Sequence, residues 1–151
     1  MSATISLINY CPVKSVSFQS IYTCEIKKNI GIVGDRVFAF AKDLDSDNTK
    51  LFEKSPEDRK GKWNKVLTLK NSPVLNKYNF LFKENKLTLI FDHKEILTID
   101  VNELSECQLL SNKIIELENS LKKPIVLMKN EEFPFFDTSI SNKVDFINSV
   151  S

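Results

Sequence analysis

Lys86-Leu87-Thr88-Leu89-Ile90-Phe91, Asp92-His93 and Lys94-Glu95-Ile96-Leu97-Thr98-Ile99 decide the fold class of this 151-residue chain. Two β-rich halves flank a short polar pair, which is the pattern of an antiparallel hairpin closed by a two-residue turn. His93, the only histidine, is then a turn residue. It has none of the partners that a general base or a zinc site needs.

Short β-rich runs with polar breaks recur on both sides of this hairpin. They are Ile5 to Ile8, Tyr22 to Ile26, Val37 to Ala41, Val66 to Leu69, Asn79 to Phe82, Ile125 to Met128 and Val144 to Ile147. Short strands at this spacing predict a mainly β fold, a barrel or sandwich. One segment departs from it. Cys107, Leu110, Ile114, Leu117 and Leu121 follow each other at intervals of 3, 4, 3 and 4, which puts all five on one face of a helix near 105–121. Ser105 and Gln108 offer a capping box, and Lys122, Lys123 and Pro124 a stop.

The stretch from Asp43 to Asn64 has little hydrophobic pattern and predicts a long, exposed hairpin extension of the barrel. Asp43-Leu44-Asp45-Ser46-Asp47-Asn48 opens like a calcium loop. It has Asn48 where the glycine belongs and Lys54 where the bidentate acid belongs, so it does not complete one. Arg59, Lys60, Lys62 and Lys65 surround Trp63, a mixture able to contact single-stranded nucleic acid. A solvated loop anchored by its tryptophan accounts for the same residues.

Composition narrows the function classes. Lys plus Arg number 21 against 20 Asp plus Glu, a net charge of +1, which argues against a surface built for nucleic acid or an acidic membrane. Cys11, Cys24 and Cys107 are odd in number and lack a C-x-x-C pair, as expected of free thiols in a reducing compartment. No apolar run is long enough to cross a bilayer, and the first residues lack a signal-peptide pattern, so the chain reads as cytoplasmic.

Two short motifs carry the chemistry. Pro12-Val13-Lys14-Ser15 stiffens the backbone just before a lysine and a hydroxyl, and Gly31-Ile32-Val33-Gly34-Asp35-Arg36 holds two of the three glycines directly before an arginine. A guanidinium fork, an ammonium and a hydroxyl suit a phosphate. The residues also permit a plainer arrangement, with Arg36 paired to Asp35 or Asp137 and Lys14 in solvent.

The order of a first strand, P-V-K-S, G-x-x-G-D-R leading into a strand, and later Phe133-Pro134-Phe135-Phe136-Asp137-Thr138 resembles the MOSC family, in particular its members with an N-terminal β-barrel extension. The resemblance implies residues 1–130 as the MOSC N-terminal barrel-like domain and 131–151 as the incomplete start of the MOSC domain. It implies the molybdenum cofactor (molybdopterin), with Lys14, Ser15 and Arg36 holding the pterin and its phosphate and Asp35 orienting Arg36. Asn148, Ser149 and Ser151 match the start of the MOSC domain, and Ser151 is carried over as a cofactor contact. Pyridoxal phosphate enters only through the wider family's fused sulfurase domain.

Oxidoreductase or sulfur-transfer activity is implied for the intact protein, with a small-molecule substrate and an electron-donor protein. None of the three cysteines matches the family's metal ligand, so metal chemistry is expected from a missing C-terminal half, and the chain is expected to be a fragment or a split or decayed gene product. The family usually has an aromatic residue where Cys11 stands. Lys14 is placed to lower the Cys11 pKa, although a buried small residue is the expected role. A reading of another class keeps the same basic corner, as a non-enzymatic β-barrel module for a phosphorylated ligand or single-stranded RNA.

Overall fold

A computed structural model describes residues 5–59, 61–121 and 124–136. In chain order the strands are β1 (Ile8–Tyr10), β2 (Gln19–Ile21), β3 (Ile26–Lys27), β4 (Gly31–Ile32), β5 (Phe38–Lys42), β6 (Tyr78–Lys83), β7 (Lys86–Phe91), β8 (Lys94–Asp100) and β9 (Ile125–Lys129). Helices α1 (Ser46–Lys54) and α2 (Pro56–Arg59) follow β5, and α3 (Leu104–Leu117) follows β8.

The central hairpin is β7–β8, and Asp92 and His93 at its turn both have positive φ, 50° and 61°. Glu84 and Asn85 do the same between β6 and β7, at 49° and 62°. Paired positive φ values match the right-handed twist of the flanking strands, so β6, β7 and β8 form a tight antiparallel meander. Its inner face places Tyr78, Phe80, Leu87, Leu89 and Ile99 in the main core, where Leu110 and Ile114 of α3 cover them. Burying such side chains contributes about 1.5–3 kcal/mol each.

The helical spacing is realised from Cys107 to Leu117, but the helix ends there with Glu118 as its C-cap, so Leu121 and the expected stop lie beyond it, and the expected N-terminal cap is not formed. Glu103 occupies the N-cap without a side-chain bond, and Ser105 lies inside the helix. Glu106 instead accepts from the Asp100 backbone N–H at 2.5 Å, tying the first turn to the end of β8. Lys122, Lys123 and Val144 to Ile147 lie outside the described residues.

The fold is mixed, and among the described residues no barrel closes. Besides the meander there are three two-stranded sheets, β1–β2, β3–β4 and β5–β9, all antiparallel. Strands of two or three residues cannot supply the continuous staggered register that closure requires. The meander and the β5–β9 sheet meet through side chains instead, Phe38 with its ring edge-on to Phe82 at 4.9 Å and Phe40 against Phe80 at 6.2 Å. Of the expected strand Val66 to Leu69, one bridge from Val66 to Ala41 is present.

Strand β5 alternates its faces in the manner of a pleated strand. Phe38 and Phe40 enter the main core, while Ala39 and Ala41 face a second core with Phe52, Val66, Met128 and Phe135. The small alanines leave room there for two phenylalanines. This second core overturns the expected hairpin extension over 43–64. Asp45 caps α1, its Oδ1 accepting from the Asn48 N–H at 2.8 Å, and Phe52 and Arg59 are fully buried. Phe52 is the one buried residue of this nine-residue helix.

Candidate anion-binding site

The backbone brings the two motifs side by side. Val13 forms a parallel bridge with Phe38, with the Lys14 N–H donating to Phe38 O at 2.8 Å and the Phe38 N–H to Pro12 O at 3.0 Å. One step earlier the Arg36 N–H donates to Cys11 O at 2.7 Å. Asp35 closes the junction, its Oδ1 accepting from the Cys11 N–H at 3.0 Å.

Ser15 and Arg36 both adopt positive φ, 68° and 52°. This region costs an L-residue roughly 1–2 kcal/mol, and neither residue is one of the asparagine or aspartate types that tolerate it best. Gly34, at φ +84°, meets a different demand: a Cβ there would sit 3.0 Å from the Tyr10 hydroxyl. Tyr10 therefore packs directly over the glycine before Asp35, and burial raises its phenol pKa, with Asp35 adding to the rise.

Arg36 Nε lies 3.1 Å from Asp35 Oδ2. The ion pair is close, yet Nε is buried and lacks an aligned hydrogen-bond acceptor among the described residues. Its guanidinium lies 4.7 Å over the Phe136 ring. The Phe135 N–H donates to Arg36 O at 2.8 Å, which fixes that aromatic run against the motif. Burial raises the Asp35 carboxyl pKa while Arg36 pulls it down. The plainer pairing of Arg36 with Asp35 is thus present, with one donor still unaligned.

Lys14 is only 3% exposed, so it is not the solvated lysine of that arrangement. Its ammonium lies 5.4 Å from the Trp63 ring centroid. Ser15 is half-buried at the turn after it. Cys11 behaves as the small buried residue: its thiol donates to Val13 O at 2.8 Å, and burial, then Asp35, pushes its pKa up to about 11. Lys14 and Arg36 pull the other way and lose.

Three of these contacts have no signature in the motifs: Trp63 on Lys14, Phe136 on Arg36, and the role of Arg59. Arg59 leaves the expected basic loop and is 1% exposed. It donates from Nε to Phe52 O at 2.7 Å and from Nη1 to Phe133 O at 2.8 Å, and its guanidinium lies 4.0 Å over Phe135. Burial lowers its pKa to about 10, so it stays charged at neutral pH while holding α1 to the 133–136 segment. The Phe-Pro-Phe-Phe run was the available hint, since so many aromatics beside a basic motif need partners. Lys60, Asp137, Thr138, Asn148, Ser149 and Ser151 lie outside the described residues.

Among the described residues no group of three or more His, Cys, Asp or Glu side chains could hold a metal ion, and no helix is long and apolar enough to cross a membrane. The chain matches no known family model, no curated protein and no solved structure.

Proposed function

We propose that the paired motifs form an anion-binding corner, with Lys14, Ser15 and Arg36 receiving the phosphate of a cofactor or other phosphorylated ligand. The observation that carries this reading is the parallel bridge at Val13 and Phe38, which joins two cationic motifs distant in sequence. The positive φ values of Ser15 and Arg36 support it, because strained backbone beside buried charged groups such as Lys14 and Asp35 clusters at functional sites.

The particular ligand we propose is molybdopterin, and the particular protein a cytoplasmic MOSC protein of which this chain is the N-terminal part. The residues suit the phosphate end of that group in kind: two cationic side chains and a hydroxyl on segments that the Val13–Phe38 bridge joins. When bound, the cofactor would supply metal-centred redox or sulfur-transfer chemistry in the intact protein. Lys14 would neutralise charge, Arg36 would present its fork to phosphate oxygens with Asp35 holding it, and Ser15 would add a hydroxyl. A small-molecule substrate and an electron-donor protein belong to the same proposal.

Calorimetric titration with inorganic pyrophosphate tests the corner directly. Arg36→Gln should weaken binding about tenfold or more, since charge-assisted hydrogen bonds contribute about 1.5–3 kcal/mol each. Unchanged affinity in Arg36→Gln, with an unchanged melt, would remove Arg36 from the site. Pyrophosphate binding without retention of a pterin on co-expression with the cofactor's biosynthetic enzymes would favour the non-enzymatic module for another phosphorylated ligand.

A further inference from the structure

Tyr10 and Val33, neighbours of the two motifs, also line a cleft of about 310 Å³, whose other apolar walls are Ile21, Leu81 and Phe82. Short pieces of β1, β2 and β6 and the residue after β4 converge to form it. Val33 and Leu81 are still 36% and 41% exposed, so the walls stand open. The volume is at the lower end for small-ligand sites, which run from about 300 to 1,000 Å³. Tyr10 is the polar member of this wall. It is 8% exposed, and its hydroxyl has no hydrogen-bond partner among the described residues. Buried phenols ordinarily find an acceptor, as Tyr78 does by donating to Glu118 Oε1 at 2.5 Å. Gly34 leaves the Tyr10 hydroxyl its room, since a Cβ there would sit 3.0 Å from the oxygen. Burial, then Asp35, raises the phenol pKa, so the group is a donor at neutral pH.

We propose that this cleft binds a small uncharged aromatic carbonyl compound, with the Tyr10 hydroxyl donating to the carbonyl oxygen. The walls set the class. Two rings and three aliphatic side chains favour an apolar body, and a protonated phenol without an acceptor of its own favours one acceptor upon it. Glu25 and Lys83 also border the cleft, one of each sign. Both are exposed and already face an opposite charge, Lys27 at 3.7 Å and Glu84 at 3.9 Å. Neither sign of charge is therefore favoured on the ligand. The corner recruits anions through Lys14 and Arg36, which are not among the cleft residues, so this site does not rest on that reading.

Acetophenone and α-methylstyrene test the site as a pair, because the second carries a methylidene carbon where the first carries its carbonyl oxygen. In titrations of the full chain, the methyl NMR signals of Ile21, Val33 and Leu81 should shift saturably with acetophenone. Its affinity should exceed that of α-methylstyrene by about two- to tenfold, the net worth of one hydrogen bond converted to affinity. Tyr10→Phe should remove that preference and leave α-methylstyrene binding as before. Leu81→Asp, at a partly exposed strand position, should weaken both compounds. Together with the preference in the parent chain, it carries the test if thermal melts show Tyr10→Phe to be unfolded. Methyl signals that do not move, equal affinities in the parent, a preference that survives in folded Tyr10→Phe, or unchanged affinities in Leu81→Asp overturn the proposal. Saturating pyrophosphate should leave acetophenone binding unchanged. Displacement of acetophenone would merge cleft and corner and overturn the cleft as a site of its own.

Discussion

The β6–β8 meander and the motif corner both reverse the chain through residues of positive φ, but they place different residues there. In the meander these are Glu84, Asn85, Asp92 and His93, polar residues at exposed hairpin tips. In the corner they are Ser15 and Arg36, beside a buried lysine and a buried aspartate. The meander uses the conformation to turn, and its charges stay in water. The corner holds it within a region that other contacts must stabilise, including the backbone bonds across the bridge and the Asp35 bond to Cys11. Local sequence suffices for the first; the second requires the rest of the fold.

The largest expected difference lies in the support for the corner. Arg59→Met should destabilise the protein by about 3 kcal/mol in urea unfolding, because it strips buried carbonyls of α1 and the 133–134 segment of their donor. Lys83→Met, at an exposed meander position, should change stability by less than about 0.5 kcal/mol. A loss below about 1 kcal/mol at Arg59 would break the comparison, for the corner would then stand without its buried cation.

Titration should show opposite signs in the two regions. The Asp35 pKa is raised by burial, so the folded chain holds that proton to higher pH than the unfolded chain does. Its contribution is therefore greatest below the ordinary carboxylate range and falls as pH rises through the raised value. Asp100, at the end of the meander, has its pKa lowered by the Asn102 N–H and by Lys86, so its contribution is present above the ordinary range and lost as pH falls. Urea midpoints measured from acid to neutral pH should lose the Asp35 slope in Asp35→Asn, which keeps an acceptor for the Cys11 N–H. The same direction of change in Asp35→Asn and Asp100→Asn would contradict the assignment.

A smaller effect tests the strain itself. Ser15→Gly should stabilise the fold by about 1 kcal/mol as the left-handed penalty disappears. The same variant should weaken pyrophosphate binding about two- to fivefold through the lost hydroxyl. Asn85→Gly should change stability by only a few tenths of a kcal/mol, since asparagine already tolerates the left-handed region. Equal stabilisation at both sites would mean that the corner is an ordinary turn.

The chain's local patterns were legible where period and turn chemistry agree. The hairpin over Lys86 to Ile99 and the helical face from Cys107 to Leu117 could be read directly, because each repeats its signal within a few residues. The stretch over 43–64 could not. Phe52 and Arg59 carry its packing, and neither belongs to a repeating pattern. Arg59 reads as a surface charge until its carbonyl partners and the Phe135 ring are in place. Barrel closure was over-read for a related reason: alternation predicts strands but not which edges meet.

For the site, sequence by itself determined the ingredients: a lysine and a serine after a proline, and an arginine after two glycines, chosen by residue type and local backbone freedom. Tertiary structure decided their use. The bridge between Val13 and Phe38 joined the motifs, burial set the Asp35 and Cys11 thiol pKa values, and Trp63 came to lie on Lys14. Spacing along a chain fixes which groups are available within a turn or two, whereas burial and long-range contact depend on how separate segments pack, and these govern the charge and reach of the groups.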